Sequence, residues 1–247
     1  MLLPPLSRNS RKVNTKNAHL LILLGAFCCC FFHTGMASTW ELNFEDTPAG
    51  EWIVPDQNPL FRHSNPEIKL EILEPGVSPL TSGNVLCVKG PKRGFRNIKP
   101  MEFVFYEGKI SFDFALFTGS FNFFLMESPV STETRRRGIR FSVDRQRNIL
   151  TYQTDRNLPP IIHGKIETLE PYRVEVSVRL HASGGGTYDL RVIHLTTNEE
   201  LPLTDATDLP VSSEVTSLAG IDIDLSSTGS ELHIDNVIFT ESGSLAP

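Results

Sequence analysis

The segment from Tyr172 to Val192, "YRVEVSVRLHASGGGTYDLRV", decides the fold class of this chain. In its first half every second residue is apolar, which is the pattern of a β-strand with one buried face. Three consecutive glycines, Gly184 to Gly186, follow this strand, and a second alternating run begins at Tyr188. Glycine readily adopts the positive φ that tight hairpin turns require. The segment therefore predicts an antiparallel hairpin with one apolar face.

Similar alternating runs recur along the rest of the chain, and glycine, asparagine or aspartate separates many of them. They span residues Ile68–Ile72, Ile110–Leu116, Phe121–Leu125, Ile139–Val143 and Ile221–Leu225. No amphipathic helical pattern and no repeat of fixed period interrupts them. Antiparallel strands with one apolar face each must cover one another, so they predict two packed sheets. We therefore expect an all-β sandwich.

The N-terminal segment has the pattern of an export signal. Its basic residues precede an apolar run from Ala18 to Phe32, and Gly35-Met36-Ala37 resembles a cleavage site before Ser38; the basic residues are Arg8, Arg11, Lys12 and Lys16. Residues 1–37 are thus predicted to be a signal peptide. The alternative is an uncleaved N-terminal anchor, because spanning a bilayer takes roughly 20 apolar residues. Both alternatives predict that residues 38–247, a single domain, are secreted, periplasmic or on the cell surface, and that only the N-terminal segment could contact a membrane.

Charge and cysteine content exclude several classes of protein. Without the leader, the chain has 19 basic and 29 acidic residues, a formal charge of −10, so its overall field does not favour nucleic acid. Cys87 is the one cysteine after the leader, which excludes an intramolecular disulfide. Its apolar neighbours predict a small buried side chain.

Three motifs resemble the concanavalin A-like lectin and glucanase superfamily, including laminin-G-like domains of secreted bacterial proteins. They are "NFEDTPAG" at residues 43–50, the hairpin around Gly184, and "ELHIDNVIFTE" at residues 231–241. Related jelly-roll carbohydrate-binding modules share the first and last of these motifs. The resemblance implies a two-sheet antiparallel jelly-roll β-sandwich. It also implies a carbohydrate-related role, although one fold supports many functions.

The resemblance further implies a structural calcium site. In similar jelly-roll modules an acid after the first strand and the aspartate of a terminal "IDNV" hold one Ca²⁺, which here would involve Glu45, Asp46 and Asp235. Calcium prefers carboxylate and carbonyl oxygens, so the residue types fit. The alternative is that these acids only occupy turns and a bend.

The last strand contains a change of phase. Leu232 and Ile234 share one face, whereas Val237 and Phe239 fit the opposite phase. One extra residue in a strand produces such a slip. The pattern predicts a β-bulge at Asp235-Asn236.

Catalytic motifs are weak. The glucanase branch places acids along one strand, and "AGIDIDLSS" puts Asp222 and Asp224 on one face. Glycoside hydrolysis needs paired carboxylates. However, Gly220 and the two serines after Leu225 stand where further acids would be expected. We therefore assign no catalytic residue.

An arginine-rich segment, "TETRRRGIRFSVDRQRN", is predicted to form a hairpin. Arg135, Arg137 and Arg140 are candidate ligands for an acidic polysaccharide, since guanidinium forks match carboxylates and sulfates. The segment loosely resembles the arginine-rich strand of alginate lyases, without their other motifs. The alternative is a solvated hairpin whose cations discourage strand pairing at an edge.

Exposed aromatic rings would complete a glycan site. Trp52 lies in a polar, proline-rich segment, and Phe117 and Phe124 are out of phase with the apolar faces of their strands. The alternative is that all three cover the sandwich. The histidines are scattered singly along the sequence and predict no zinc site.

The sequence as a whole favours an exported, non-catalytic module that binds extracellular or cell-surface polysaccharide. A polysaccharide-degrading enzyme, either a glycoside hydrolase or a lyase, is the first alternative. A structural envelope or adhesion protein is the second.

Overall fold

The computed structural model describes residues 39–42, 44–50, 61–63, 69–81, 83–90, 95–97, 106–127, 137–154, 157–226 and 229–242, with the backbone alone for 61–63, 95–97 and 137. Within these ranges the regular structure consists of β-strands, without a helix. No membrane-crossing helix, long and apolar, occurs in the described part of the chain. The predicted export segment and its cleavage site lie outside it.

Sixteen strands are described, numbered in chain order. They are β1 Thr39–Leu42, β2 Phe61–His63, β3 Lys69–Leu73, β4 Val85–Gly90, β5 Phe95–Asn97, β6 Glu107–Thr118, β7 Phe121–Glu127, β8 Arg137–Val143, β9 Asn148–Thr151, β10 Ile161–Lys165, β11 Pro171–Leu180, β12 Gly186–His194, β13 Glu199–Glu200, β14 Leu209–Val211, β15 Leu218–Leu225 and β16 Ser230–Glu241.

These strands form two sheets in which every pairing of neighbours is antiparallel. The nine-stranded sheet has the order β13-β12-β11-β6-β16-β4-β3, and in addition β1 pairs with β16 and β14 with β12. The seven-stranded sheet has the order β10-β9-β8-β7-β15-β5-β2. The predicted all-β, two-sheet antiparallel sandwich is confirmed.

The core lies between the sheets and contains the apolar face of each long strand. Phe112 of β6 stacks on Phe123 of β7, with ring centroids 4.4 Å apart and planes 17° apart, which joins the two sheets at their centres. Val174, Val176 and Val178 of β11 are buried in the same cluster. Alternation along each strand therefore separates an inner apolar face from an outer face that can carry a site.

The hairpin that decides the fold class forms as predicted. Val176 of β11 lies opposite Leu190 of β12, and the pairing ends at Leu180 and Gly186. Gly186 has φ +142°, and an added Cβ would lie 2.1 Å from the carbonyl oxygen of Arg179. The turn therefore requires glycine at this position.

The predicted bulge in β16 is also confirmed. Asp235 is paired with Asp113 of β6 and Ile238 with Ser111, so three steps on β16 match two steps on β6. Asn236 lies within the shift and has φ +49°, a conformation that asparagine tolerates. The bulge returns Val237 and Phe239 to the core face.

Candidate functional site

The outer face of the seven-stranded sheet carries polar and aromatic side chains at its centre. The strand register aligns Asp222 of β15 with Phe124 of β7 and Arg140 of β8. Two residues further along each strand, the register aligns Asp224 with Asn122 and Ser142. The intervening residues on these strands, among them Phe123, Phe141 and Ile223, belong to the core. The two aspartates therefore share the outer face, as their spacing predicts.

Arg140 is the centre of this cluster. Its Nη2 and Nε atoms lie 2.7 and 3.3 Å from Asn122 Oδ1, and Ser142 Oγ donates to the same oxygen at 2.6 Å. The guanidinium carbon lies 3.4 Å from the centroid of the Tyr152 ring and 5.4 Å from that of Phe124. Cations over aromatic faces are attracted by the ring quadrupole. Arg140 is thus fixed in place while remaining half-buried.

Tyr152 and Asn122 were not identified from the sequence. Tyr152 follows β9, and Asn122, which is 8% exposed, occupies an outward position in β7, whose seven residues are all buried. A polar amide within a buried strand was a usable signal for Asn122. Nothing in the sequence placed Tyr152 beside Arg140, because that contact depends on how β9 pairs with β8.

The predicted aromatic ligands do not form one site. Phe124 lies on the outer face of the seven-stranded sheet but is only 1% exposed, so it supports Arg140 and offers no open ring face. Phe117 lies on the nine-stranded sheet, where its ring packs on His233 with centroids 4.1 Å apart. Trp52 lies outside the described residues.

The described part of the arginine-rich segment, residues 137–148, forms the predicted hairpin, in which β8 pairs with β9. Of the three candidate arginines, Arg140 has a described side chain on the outer face. Arg137 is described as backbone only, and Arg135 lies outside the described residues. Arg147, in the turn, donates to the carbonyl oxygens of Phe117 and Gly119 and holds the loop.

The predicted calcium ligands lie where β1 and β16 diverge. Glu45 and Asp46 are exposed in the turn after β1, and Glu45 Oε1 accepts from the backbone N–H of Asn84 at 3.1 Å. The carbonyl oxygens of Glu45 and Thr47 lie 3.5 and 3.1 Å from Asn84 Nδ2. Asp235 is 1% exposed in the bulge. Oxygen atoms of this turn therefore converge on the position of one amide nitrogen.

Comparisons of sequence found no protein-family model that matches and no similar curated protein. Comparisons of structure found proteins with the same fold. A carbohydrate esterase from the Shiga toxin-encoding bacteriophage phi24B aligns with a TM-score of 0.51 and 9% identity, covering 84% of this chain and 100% of that one. A protein of unknown function from Shewanella oneidensis MR-1 aligns with a TM-score of 0.50 and 11% identity, covering 98% and 100%.

Lectin I from Ulex europaeus, in complex with the methyl glycoside of α-L-fucose, aligns with a TM-score of 0.47 and 14% identity, covering 83% of this chain and 97% of the lectin. At these identities the likeness concerns the fold alone. The two-sheet jelly-roll β-sandwich that the resemblance implies is confirmed as the fold of this chain.

Proposed function

We propose that this protein is an exported, non-catalytic glycan-binding module whose ligand site is the outer face of the seven-stranded sheet. The observation that carries the proposal is the contact between Arg140 and Tyr152, 3.4 Å from guanidinium carbon to ring centroid. Both side chains are half-buried, so they are held in place and still reachable.

The chemistry of this cluster suits a sugar. A guanidinium presents several donors in a planar fork, and a tyrosine combines an apolar ring with a polar tip. Asp224, half-buried on the same face, adds acceptors for hydroxyl groups. A few fixed polar groups beside aromatic surface are typical of small-ligand sites. Extracellular or cell-surface polysaccharide is therefore the proposed partner.

Binding is favoured over glycoside hydrolysis because the two aspartates are not equally accessible. Asp222 is 1% exposed, whereas Asp224 is half-buried. Glycosidases need two carboxyl groups that both reach the scissile bond. The phage protein of the same fold is a carbohydrate esterase. Because fold does not determine function, the proposal rests on the Arg140 cluster.

The test is retention of the purified full-length chain on an array of neutral and acidic polysaccharides. We expect retention on a defined glycan, and a Kd at least about tenfold weaker in Arg140→Ala and in Tyr152→Ala, a loss of about 1.4 kcal/mol or more. Arg179→Ala is the matched control, since Arg179 is an exposed arginine on the outer face of the other sheet. Absence of retention on every glycan, or equal loss in the control, would refute the proposal.

A polysaccharide lyase is the second candidate, and the same Arg140–Tyr152 contact is the observation that favours it. In a lyase, an arginine neutralises the uronate carboxylate and a tyrosine can transfer the proton. Incubation with polyuronates followed by ultraviolet detection of unsaturated products distinguishes the two candidates. Turnover that disappears in Tyr152→Phe would establish the lyase, and binding without product supports the module.

We further propose that Glu45, Asp46 and Asp235 hold a structural Ca²⁺. The pairing of Leu42 with Val237 brings the chain after β1 alongside the bulge that contains Asp235. The carbonyl oxygens of Glu45 and Thr47, which accept from Asn84 Nδ2 in this structure, are further ligands of the kind that calcium prefers. The ion would fasten the first strand to the last.

A further inference from the structure

The outer face of the nine-stranded sheet contains a cluster of three metal-ligating side chains that the proposed function does not use. Cys87 of β4 lies directly opposite His233 of β16, and Glu231 lies two residues before His233 on the same face. Glu231 Oε1 is 3.9 Å from Cys87 Sγ and 3.2 Å from His233 Nε2. All three ligand atoms lie within 4.8 Å of one another.

We infer that Cys87, Glu231 and His233 form a binding site for one divalent cation of the zinc type. Bond lengths of about 2.0–2.3 Å to sulfur, nitrogen and oxygen place the ligand atoms of a tetrahedral zinc roughly 3.3–3.8 Å apart. Two of the separations, 3.2 and 3.9 Å, lie about 0.1 Å outside the two ends of this range, so small shifts of the side chains would fit the ion. Thiolate and imidazole together select zinc over calcium or magnesium, which prefer oxygen. This site is therefore distinct from the proposed calcium site.

The surroundings of His233 are those of an oriented ligand. Its Nδ1 atom lies 2.9 Å from Ser78 Oγ, which leaves Nε2 directed at the cluster. Metal-bound histidines usually have such a partner on the second ring nitrogen. The Phe117 ring packs on the imidazole and fixes its plane. Cys87 and His233 are 0% and 2% exposed, so these two ligands are shielded from solvent.

Charge at the site also balances. A Cys87 thiolate and the Glu231 carboxylate together neutralise a divalent cation, and the thiol proton is released on binding. Lys89 Nζ lies 3.2 Å from Glu231 Oε1 and competes with the ion for that oxygen. The Lys89 side chain is 41% exposed, so its ammonium group can move into water when a cation binds.

The experiment uses Co²⁺ as a spectroscopic probe and Zn²⁺ as competitor. The full-length chain carries Cys28→Ser, Cys29→Ser and Cys30→Ser, so that Cys87 is its single thiol. We expect one Co²⁺ per chain with a thiolate-to-cobalt charge-transfer band, removed by one equivalent of Zn²⁺ and unaffected by excess Ca²⁺. Zn²⁺ should also raise the Tm, since it binds the folded state.

Variants assign the ligands. Cys87→Ala should lose the band, and His233→Gln and Glu231→Gln should weaken Co²⁺ binding at least tenfold. His194→Gln is the matched control, because His194 pairs with Glu170 at 3.3 Å on the same sheet and its register partner is Tyr172 rather than a cysteine. Lys89→Ala should tighten binding by removing the competing cation, and it changes an exposed side chain that folding tolerates.

Three results would overturn the inference. One is the absence of a charge-transfer band in the parent chain. The second is a band that survives in Cys87→Ala. The third is equal affinity in the parent chain, Lys89→Ala, His233→Gln and Glu231→Gln.

Discussion

Arg173 of β11 donates two parallel hydrogen bonds to the carboxylate of Asp113 of β6, from Nε to Oδ1 at 2.7 Å and from Nη2 to Oδ2 at 2.8 Å. Asn236 Nδ2 donates to the same carboxylate at 2.8 Å from the bulge of β16. Three adjacent strands at the centre of the nine-stranded sheet are therefore tied through one carboxylate whose side chain is 4% exposed. Such charge-assisted, bidentate pairs are stronger than neutral hydrogen bonds.

Arg173→Ala should lower the free energy of unfolding by roughly 2–3 kcal/mol, because it removes two charge-assisted hydrogen bonds from the buried carboxylate, which keeps the one from Asn236 Nδ2. Urea unfolding measures the loss. Arg179→Ala is the matched control: its partners Asp189 and Asp208 are more exposed, and the expected loss is about 0.5 kcal/mol or less. Equal losses in the two variants would contradict a special role for Asp113.

Gly186→Ala should destabilise the hairpin by at least about 3 kcal/mol or prevent folding. The added Cβ would meet backbone, 2.1 Å from Arg179 O and 2.8 Å from Leu180 Cα, which cannot move aside. Gly76→Ala is the control, with φ +85° and no atom within 4 Å of its Cβ, and it should cost only about 1–2 kcal/mol. Soluble yield and thermal unfolding would show the difference; similar Tm values would refute it.

Most of the fold could be predicted from local sequence patterns. Alternation in β11 and β12, the glycines at their turn and the phase change around Asp235 each act over a few residues, so the sequence displays them directly. The arginine-rich hairpin was predictable for the same reason. The order of strands in each sheet was not, because pairing between distant segments depends on packing rather than on local pattern.

The clusters of side chains depended on that long-range register. Cys87 and Glu231 are 144 residues apart, and only the pairing of β4 with β16 brings them together. Histidines that are isolated in the sequence therefore gave no signal for His233. Phe124 lies on an outer face, as its phase indicated, but its exposure of only 1% could not be inferred from that phase.

Calcium should raise the Tm of the protein by several degrees relative to the same protein in chelator, because a ligand of the folded state stabilises by mass action. Glu45→Gln should abolish this shift, since an amide is a poorer calcium ligand than a carboxylate. Glu45 is exposed, so its replacement should leave the fold intact. Glu214→Gln, another exposed acid, should retain the shift. The same Tm with calcium and with chelator would contradict the proposed calcium site.

Tyr188→Phe should reduce the decrease in unfolding free energy that the wild-type protein shows at alkaline pH. Burial raises the pKa of Tyr188 to about 12, although a hydrogen bond with Thr151 opposes the shift. In the unfolded chain the phenol ionises near pH 10, so between pH 10 and 12 only the unfolded state releases the proton and the folded state loses its advantage. The stability tied to Tyr188 is thus complete below about pH 10 and decreases as the pH rises, by about 2–3 kcal/mol at pH 12.

Urea unfolding at pH 8, 10, 11 and 12 measures this effect as the difference between wild type and Tyr188→Phe. At pH 8 the variant should be less stable by about 1 kcal/mol, because the hydrogen bond with Thr151 is lost. As the pH rises the two curves should converge and then cross. Burial also raises the pKa of Cys87 to about 12, but both proteins contain that thiol, so its contribution cancels in the difference. If the difference in unfolding free energy between wild type and Tyr188→Phe stayed constant from pH 8 to pH 12, the prediction would be wrong, because the buried phenol would then ionise equally in the folded and unfolded states.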